Sequence, residues 1–156
     1  MSDILETIDT LYAALDARDG DAMAACYHPE ARFRDPLFDL RGAEIGAMWR
    51  MLTSRSEDLR AEVSDIRVTG DTKALAHWTA RYTFGQRPVV NEVRAAYRFA
   101  DDARIIDHVD AFDLTYWAGQ ALGGIPALVT RMPGGAGLLR RKVRRQLDAH
   151  MAQSGE

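Results

Sequence analysis

The chain has 156 residues, 47% hydrophobic and 28% charged, with a formal net charge of −3. Those figures describe an ordinary globular protein with one sizeable core, leave too little chain for two comfortable domains, and argue against a chain built mainly to bind nucleic acid. No apolar run approaches the roughly 20 residues needed to cross a bilayer, and the opening Met-Ser-Asp-Ile-Leu-Glu lacks a secretory pattern, so a cytoplasmic location is expected.

Asp3 followed by Glu6 reads as a capping box, after which Ile4, Leu5, Ile8, Leu11, Tyr12 and Leu15 repeat at helical spacing until Asp19-Gly20-Asp21. A shorter helix is predicted from Asp21 to about Tyr27, ended by His28-Pro29, a turn. Its Cys26 is the only cysteine, which excludes an intrachain disulfide and a thiolate zinc site; the neighbours Ala22 to Ala25 mark it as a core residue. Short strand segments around Phe33 and Asp35 lead past Pro36 into a helix from Ala43 to about Arg55, with Ile45, Met48, Trp49 and Leu52 on one face.

From Leu59 the period becomes two. Leu59–Thr69, Lys73–Phe84, Val89–Ala100 and Arg104–Phe112 read as strands of an antiparallel meander, with helices on one face of a curved sheet. Centring the hairpins on Gln86-Arg87 and Asp102-Ala103 sets Tyr82 across from Asn91, Trp78 from Ala95, Ala95 from Asp110 and Tyr97 from His108. One face then carries Ala76, Trp78, Ala80, Tyr82, Asn91, Val93, Ala95, Tyr97, Phe99, Ile106, His108, Asp110 and Phe112, apolar with a polar centre. The other carries charges, with Arg81 opposite Glu92 and Arg98 opposite Asp107.

A helix is expected over Leu114 to Leu122, where Tyr116 and Trp117 can close one mouth of a cavity, ending at Gly123-Gly124-Ile125-Pro126. Pro133-Gly134-Gly135-Ala136-Gly137 follows no strand and lacks the Lys-Ser/Thr ending of a phosphate loop, so it reads as a hinge. A last helix, Leu138 to about Gln153, sets Leu139, Val143, Leu147 and Met151 at spacing four among Arg140, Arg141, Lys142, Arg144 and Arg145. Docking with a solvated basic face is favoured over contact with anionic lipid or nucleic acid.

The candidate chemistry lies in Asp35, His108 and Asp110. Asp35 sits between apolar neighbours, which suits either a partly buried base or a cap for the turn before Pro36. His108, Asp110 and Asn91 are polar groups on an oily face, where they need partners, water or a ligand. His108 and Asp110 have no third ligand at metal-site spacing, and no metal or other cofactor is expected.

The His-Pro-Glu-Ala-Arg-Phe-Arg-Asp-Pro run, Leu40-Arg41-Gly42 before a helix, and a late strand carrying His108, Asp110 and Phe112-Asp113 together resemble the nuclear transport factor two-like superfamily, within it the SnoaL-like polyketide cyclase and ketosteroid isomerase group. The resemblance covers about residues 3–118. It implies an α+β, cone-shaped barrel whose curved sheet and N-terminal helices enclose an apolar pocket, usually as a homodimer. The domain is thus assigned to residues 1–118 and a basic C-terminal helical extension to 119–156.

In the isomerases an aspartate before proline on the early strand is the base, and Asp35-Pro36 matches it; the oxyanion donors of those enzymes fall on Leu11, one residue from Tyr12, and on Ala95. That departure speaks against steroid isomerisation. In the cyclases an acid on a late strand donates the proton, and Asp110 matches. The resulting expectation is an isomerase, cyclase or lyase acting on an apolar carbonyl compound, with Asp35, His108 and Asp110 catalytic and Tyr12, Trp49, Trp78, Tyr82, Asn91 and Tyr97 around the substrate. The alternative is a non-catalytic dimeric ligand-binding module of the same fold.

Overall fold

The computed structural model describes residues 2–155. Its elements are α1 (Ser2–Asp16), α2 (Gly20–Ala25), β1 (Tyr27–Arg34), β2 (Asp39–Arg41), α3 (Ala43–Arg55), β3 (Arg60–Gly70), β4 (Lys73–Phe84), β5 (Arg87–Phe99), β6 (Ile105–Ala111), α4 (Leu114–Leu122), α5 (Gly124–Arg131) and α6 (Gly135–Ser154). The architecture is α+β, with one curved six-stranded sheet in the order β2-β1-β6-β5-β4-β3 that does not close.

The apolar stripe of α1 buries Ile4, Ile8, Leu11, Tyr12 and Leu15. The helix begins at Ser2, so Asp3 stands in its first turn, favourable for the helix dipole, rather than at the predicted cap. Asp19 caps α2, accepting from the Ala22 N–H at 3.0 Å.

The helix stops at Ala25, and Tyr27-His28-Pro29 belongs to β1 rather than to a helix end and turn. Pro29 has no N–H to give, and the ladder to β6 shifts between Tyr27 and Arg32. β1 runs parallel to β6, with Phe33 opposite His108, so the sheet is mixed rather than antiparallel throughout. No turn joins two parallel neighbours, which is why a hairpin-based reading could not find this pairing.

The β4–β5 hairpin turns at Gly85-Gln86, and Gly85 has the positive φ of 64° that such a short turn requires. The observed pairs are Ala76 with Ala95, Trp78 with Val93 and Ala80 with Asn91, displaced by two residues from the predicted register. A shift of two keeps every side chain on its face, so the inward set survives; Arg81 now faces Val90 instead of Glu92. Between β5 and β6 the pairs Ala95–Asp110 and Tyr97–His108 are as expected. An irregularity beyond Arg98 puts Phe99 opposite Ile105, and Ile105, not Ile106, is the fully buried residue.

After α4, Gly123 at φ 101° turns the chain into α5, a helix that the sequence reading missed. The glycine run is a close corner rather than a free hinge: a Cβ on Gly135 would stand 1.7 Å from the Val129 carbonyl oxygen. The basic helix α6 docks. Leu147 is fully buried in the main core, Leu139 packs on a second cluster around Val89, Trp117 and Ala121, Arg144 bonds Glu44 of α3, and Arg140 Nε donates to the Pro36 carbonyl at 2.8 Å. Among the described residues no helix is long and apolar enough to cross a membrane.

Leu147→Ala leaves a cavity under α6 and is expected to lower unfolding stability by about 3 kcal/mol in urea titration. A loss near zero would mean that α6 does not contribute to the fold.

Candidate active site

Tyr82 and Phe112 pack against both core clusters, and between the clusters lies a cavity of about 490 Å³. Its strand side includes Trp78, Ala80, Asn91, Val93 and Asp110, its α3 side Met48, Trp49, Met51 and Leu52, and its C-terminal side Trp117, Leu122, Leu139 and Val143. Trp117 is fixed across this space by Nε1 donating to the Tyr82 hydroxyl at 2.7 Å. Tyr116, predicted beside it as a closing residue, is 66% exposed and takes no part in the lining.

Asp35 follows directly on β1 and lines the cavity. Its Oδ1 accepts from the Leu37 N–H at 2.8 Å and the Phe38 N–H at 2.7 Å, while its own N–H donates to Phe38 O at 3.0 Å. Asp35 thus caps the turn through one oxygen and also lines the cavity. Among the described residues no hydrogen bond reaches Oδ2. Burial raises the Asp35 carboxyl to about 7; the two backbone donors oppose that rise and the nearby Asp110 charge adds to it.

Asp110 is held differently. Its Oδ1 accepts from Trp78 Nε1 at 3.3 Å and bonds His108 Nε2 at 2.7 Å. His108 Nδ1 bonds the Tyr27 hydroxyl at 2.8 Å, and Trp49 Nε1 donates to that hydroxyl at 3.1 Å. An indole N–H only donates, so the Tyr27 oxygen accepts from Trp49 while its hydroxyl also bonds His108 Nδ1, the direction of that bond being set by the imidazole tautomer. Trp49, Tyr27, His108 and Asp110 thus form one continuous hydrogen-bonded chain that ends at Asp110. No hydrogen bond among the described residues reaches Asp110 Oδ2.

His108 is 1% exposed, edge-on to Phe33 at 4.9 Å and against Tyr97 at 4.4 Å, and it does not line the cavity. Tyr12 and Tyr97, expected at the substrate, likewise lie one layer below the wall, hydrogen-bonded to each other; burial holds both phenols well above their ordinary range. None of these three residues expected at the site lines the cavity, each being buried in the core behind it. Asp35, Asp110, Trp49, Trp78, Tyr82 and Asn91 do reach the cavity. Tyr27 was missed because its role depends on the parallel β1–β6 contact.

The isomerase donor positions, Leu11 and Ala95, are buried apolar residues. Among the described residues no three His, Cys, Asp or Glu side chains gather as a metal set.

The profile of the SnoaL-like domain matches residues 8–108, well over half of the sequence. The chain belongs to the SnoaL-like domain family. This SnoaL-like domain resembles an NTF2-like protein of unknown function from Burkholderia pseudomallei, with a TM-score of 0.67 at 18% identity over 78% of this chain and 99% of that one. A loop-truncation variant of IdmH gives 0.61 at 26% identity over 75% and 98%. SalBIII, an epoxide hydrolase/cyclase-like enzyme in pyran ring formation in the polyether salinomycin, gives 0.64 at 13% over 72% and 92%. No curated protein matches the sequence. The family match ends at His108, so Asp110 and the α4–α6 wall of the SnoaL-like cavity lie beyond it.

Two outcomes follow from this geometry. The folded state holds the Asp35 proton more tightly than the unfolded chain does, so its contribution to stability is full at low pH and is lost as pH rises through about 7. Asp35→Asn, which keeps the turn acceptor, is expected to melt higher than the parent above pH 7, with the gap closing toward pH 4; a gap constant with pH would contradict the shift. Tyr27→Phe strands Trp49 Nε1 and His108 Nδ1 and should cost about 2 kcal/mol in denaturant unfolding.

Proposed function

We propose that this SnoaL-like domain is a cofactor-independent acid–base enzyme of isomerase, cyclase or lyase type, acting on an apolar carbonyl-bearing molecule. The observation that carries this reading is the pair of carboxyl groups lining one largely apolar cavity, each tied to the protein by Oδ1 and with no hydrogen bond on Oδ2 among the described residues. A base at about 7 is divided near neutral pH between the form that takes a proton and the form that returns it, which is the balance proton transfer at carbon needs.

In the proposed cycle Asp35 removes the proton beside the carbonyl. Asp110 serves as the acid toward the carbonyl oxygen as negative charge develops there, and the His108–Tyr27 chain holds it in position. His108 is a positioning residue in this scheme. The cyclase-like and isomerase-like names borne by structural neighbours support the reaction class, and a second copy of the chain is proposed as partner. Non-catalytic binding is the second reading, favoured by the apolar residues at both isomerase donor positions.

The test is solvent-deuterium incorporation beside the carbonyl in a panel of apolar β-dicarbonyl compounds, read by mass spectrometry. The parent protein is expected to catalyse exchange with kcat/KM rising through about pH 7, and Asp35→Asn and Asp110→Asn should each lower it about 100-fold or more. Exchange unaffected in Asp35→Asn removes that residue from the mechanism. Compounds bound without exchange would favour the binding module.

A further inference from the structure

Besides Asp35 and Asp110, the charged residues lining the cavity among those described are Arg55, in the last turn of α3, and Lys142, in α6. Both are exposed, and no hydrogen bond or ion pair among the described residues reaches either. Of the other cations on these helices, Arg50 bonds Asp21 at 2.6 Å, Arg144 bonds Glu44 and Asp148, and Arg140 bonds the Pro36 carbonyl, while Arg141 and Arg145 are likewise unbonded among the described residues but do not line the cavity. Gln146, one turn beyond Lys142, also lines the cavity. The hollow therefore has carboxyl groups supplied by the end of β1 and by β6, and uncommitted cations supplied by two helices at its solvent edge.

We propose that the ligand of this cavity is an amphipathic anion, an apolar body carrying a carboxylate or comparable acidic group held at the rim by Arg55 and Lys142. Long cationic side chains can cover apolar wall with their stems while their heads stay solvated, so exposed residues such as these bind an anion without burying either charge completely. Beside a low-dielectric hollow such a pair attracts more strongly than on open surface. With that acid held at the rim, the uncharged end of the ligand lies toward Asp35 and Asp110. This inference rests on reading the cavity as the ligand site of the proposed function, but not on the proton transfer assigned there.

A matched pair of dyes tests it: anilinonaphthalene sulfonate and its uncharged parent phenylnaphthylamine, which share the ring system and differ by the sulfonate. All three tryptophans of the chain line the cavity, so their quenching reports occupancy. The sulfonate is expected to bind the parent protein more tightly than the neutral dye. Arg55→Gln/Lys142→Gln should weaken the sulfonate about fivefold or more and leave the neutral dye unchanged, whereas Arg55→Lys/Lys142→Arg keeps the preference. Arg141→Gln/Arg145→Gln, basic residues outside the lining, should change neither dye.

Equal weakening of both dyes by the double glutamine variant, an effect as large from the Arg141/Arg145 variant, or absence of tryptophan quenching by the sulfonate would overturn the proposal. Deuterium exchange lost in Asp35→Asn with no dye selectivity separates failure of this inference from failure of the proposed chemistry.

Discussion

A carboxyl group in an apolar hollow must be partnered or neutral, and this fold keeps two of them by different means. Asp110 is secured at one oxygen by hydrogen bonds with a buried imidazole and an indole. Asp35 has only the N–H groups of its own turn, and burial shifts its proton equilibrium instead. The surrounding structure follows from satisfying those groups. The β5–β6 register puts Asp110 across from small Ala95 and His108 across from Tyr97, β1 supplies Tyr27, and α3 supplies the Trp49 donor.

Such a network is costly if incomplete, because each member removed leaves its neighbour buried without a partner. That accounts for the aromatic shell about His108, with Phe33, Tyr27 and Tyr97 excluding water from the imidazole. The same exclusion separates roles that look equivalent in sequence. His108 and Asp110 are two residues apart on one face, yet only the carboxylate reaches the cavity.

The C-terminal segment is part of the same construction. α6 buries Leu147 in the core, ties its arginines to α3 and to the Pro36 carbonyl, and contributes Leu139, Lys142, Val143 and Gln146 to the cavity. A stretch that in composition is a basic tail thus works structurally as a wall beside the turn that carries Asp35. Its packing face and its charged face divide along the helix, which lets one element serve the core and the rim together.

By itself the sequence determined the α+β class, the helices of the first half, the β3–β6 meander and the inward set on β4 and β5, because each is written in local periodicity and turn chemistry. The two-residue slip of the β4–β5 hairpin did no harm, since strand faces alternate with period two. Only the tertiary structure decided that Tyr27 reaches His108, that Tyr12, Tyr97 and His108 sit behind the wall, and that Arg55 and Lys142 stand at its edge. Those facts depend on a parallel strand pair and on helices packed from distant parts of the chain. Neither leaves a mark in the spacing of neighbouring residues, because the contacts form between segments that no local pattern connects.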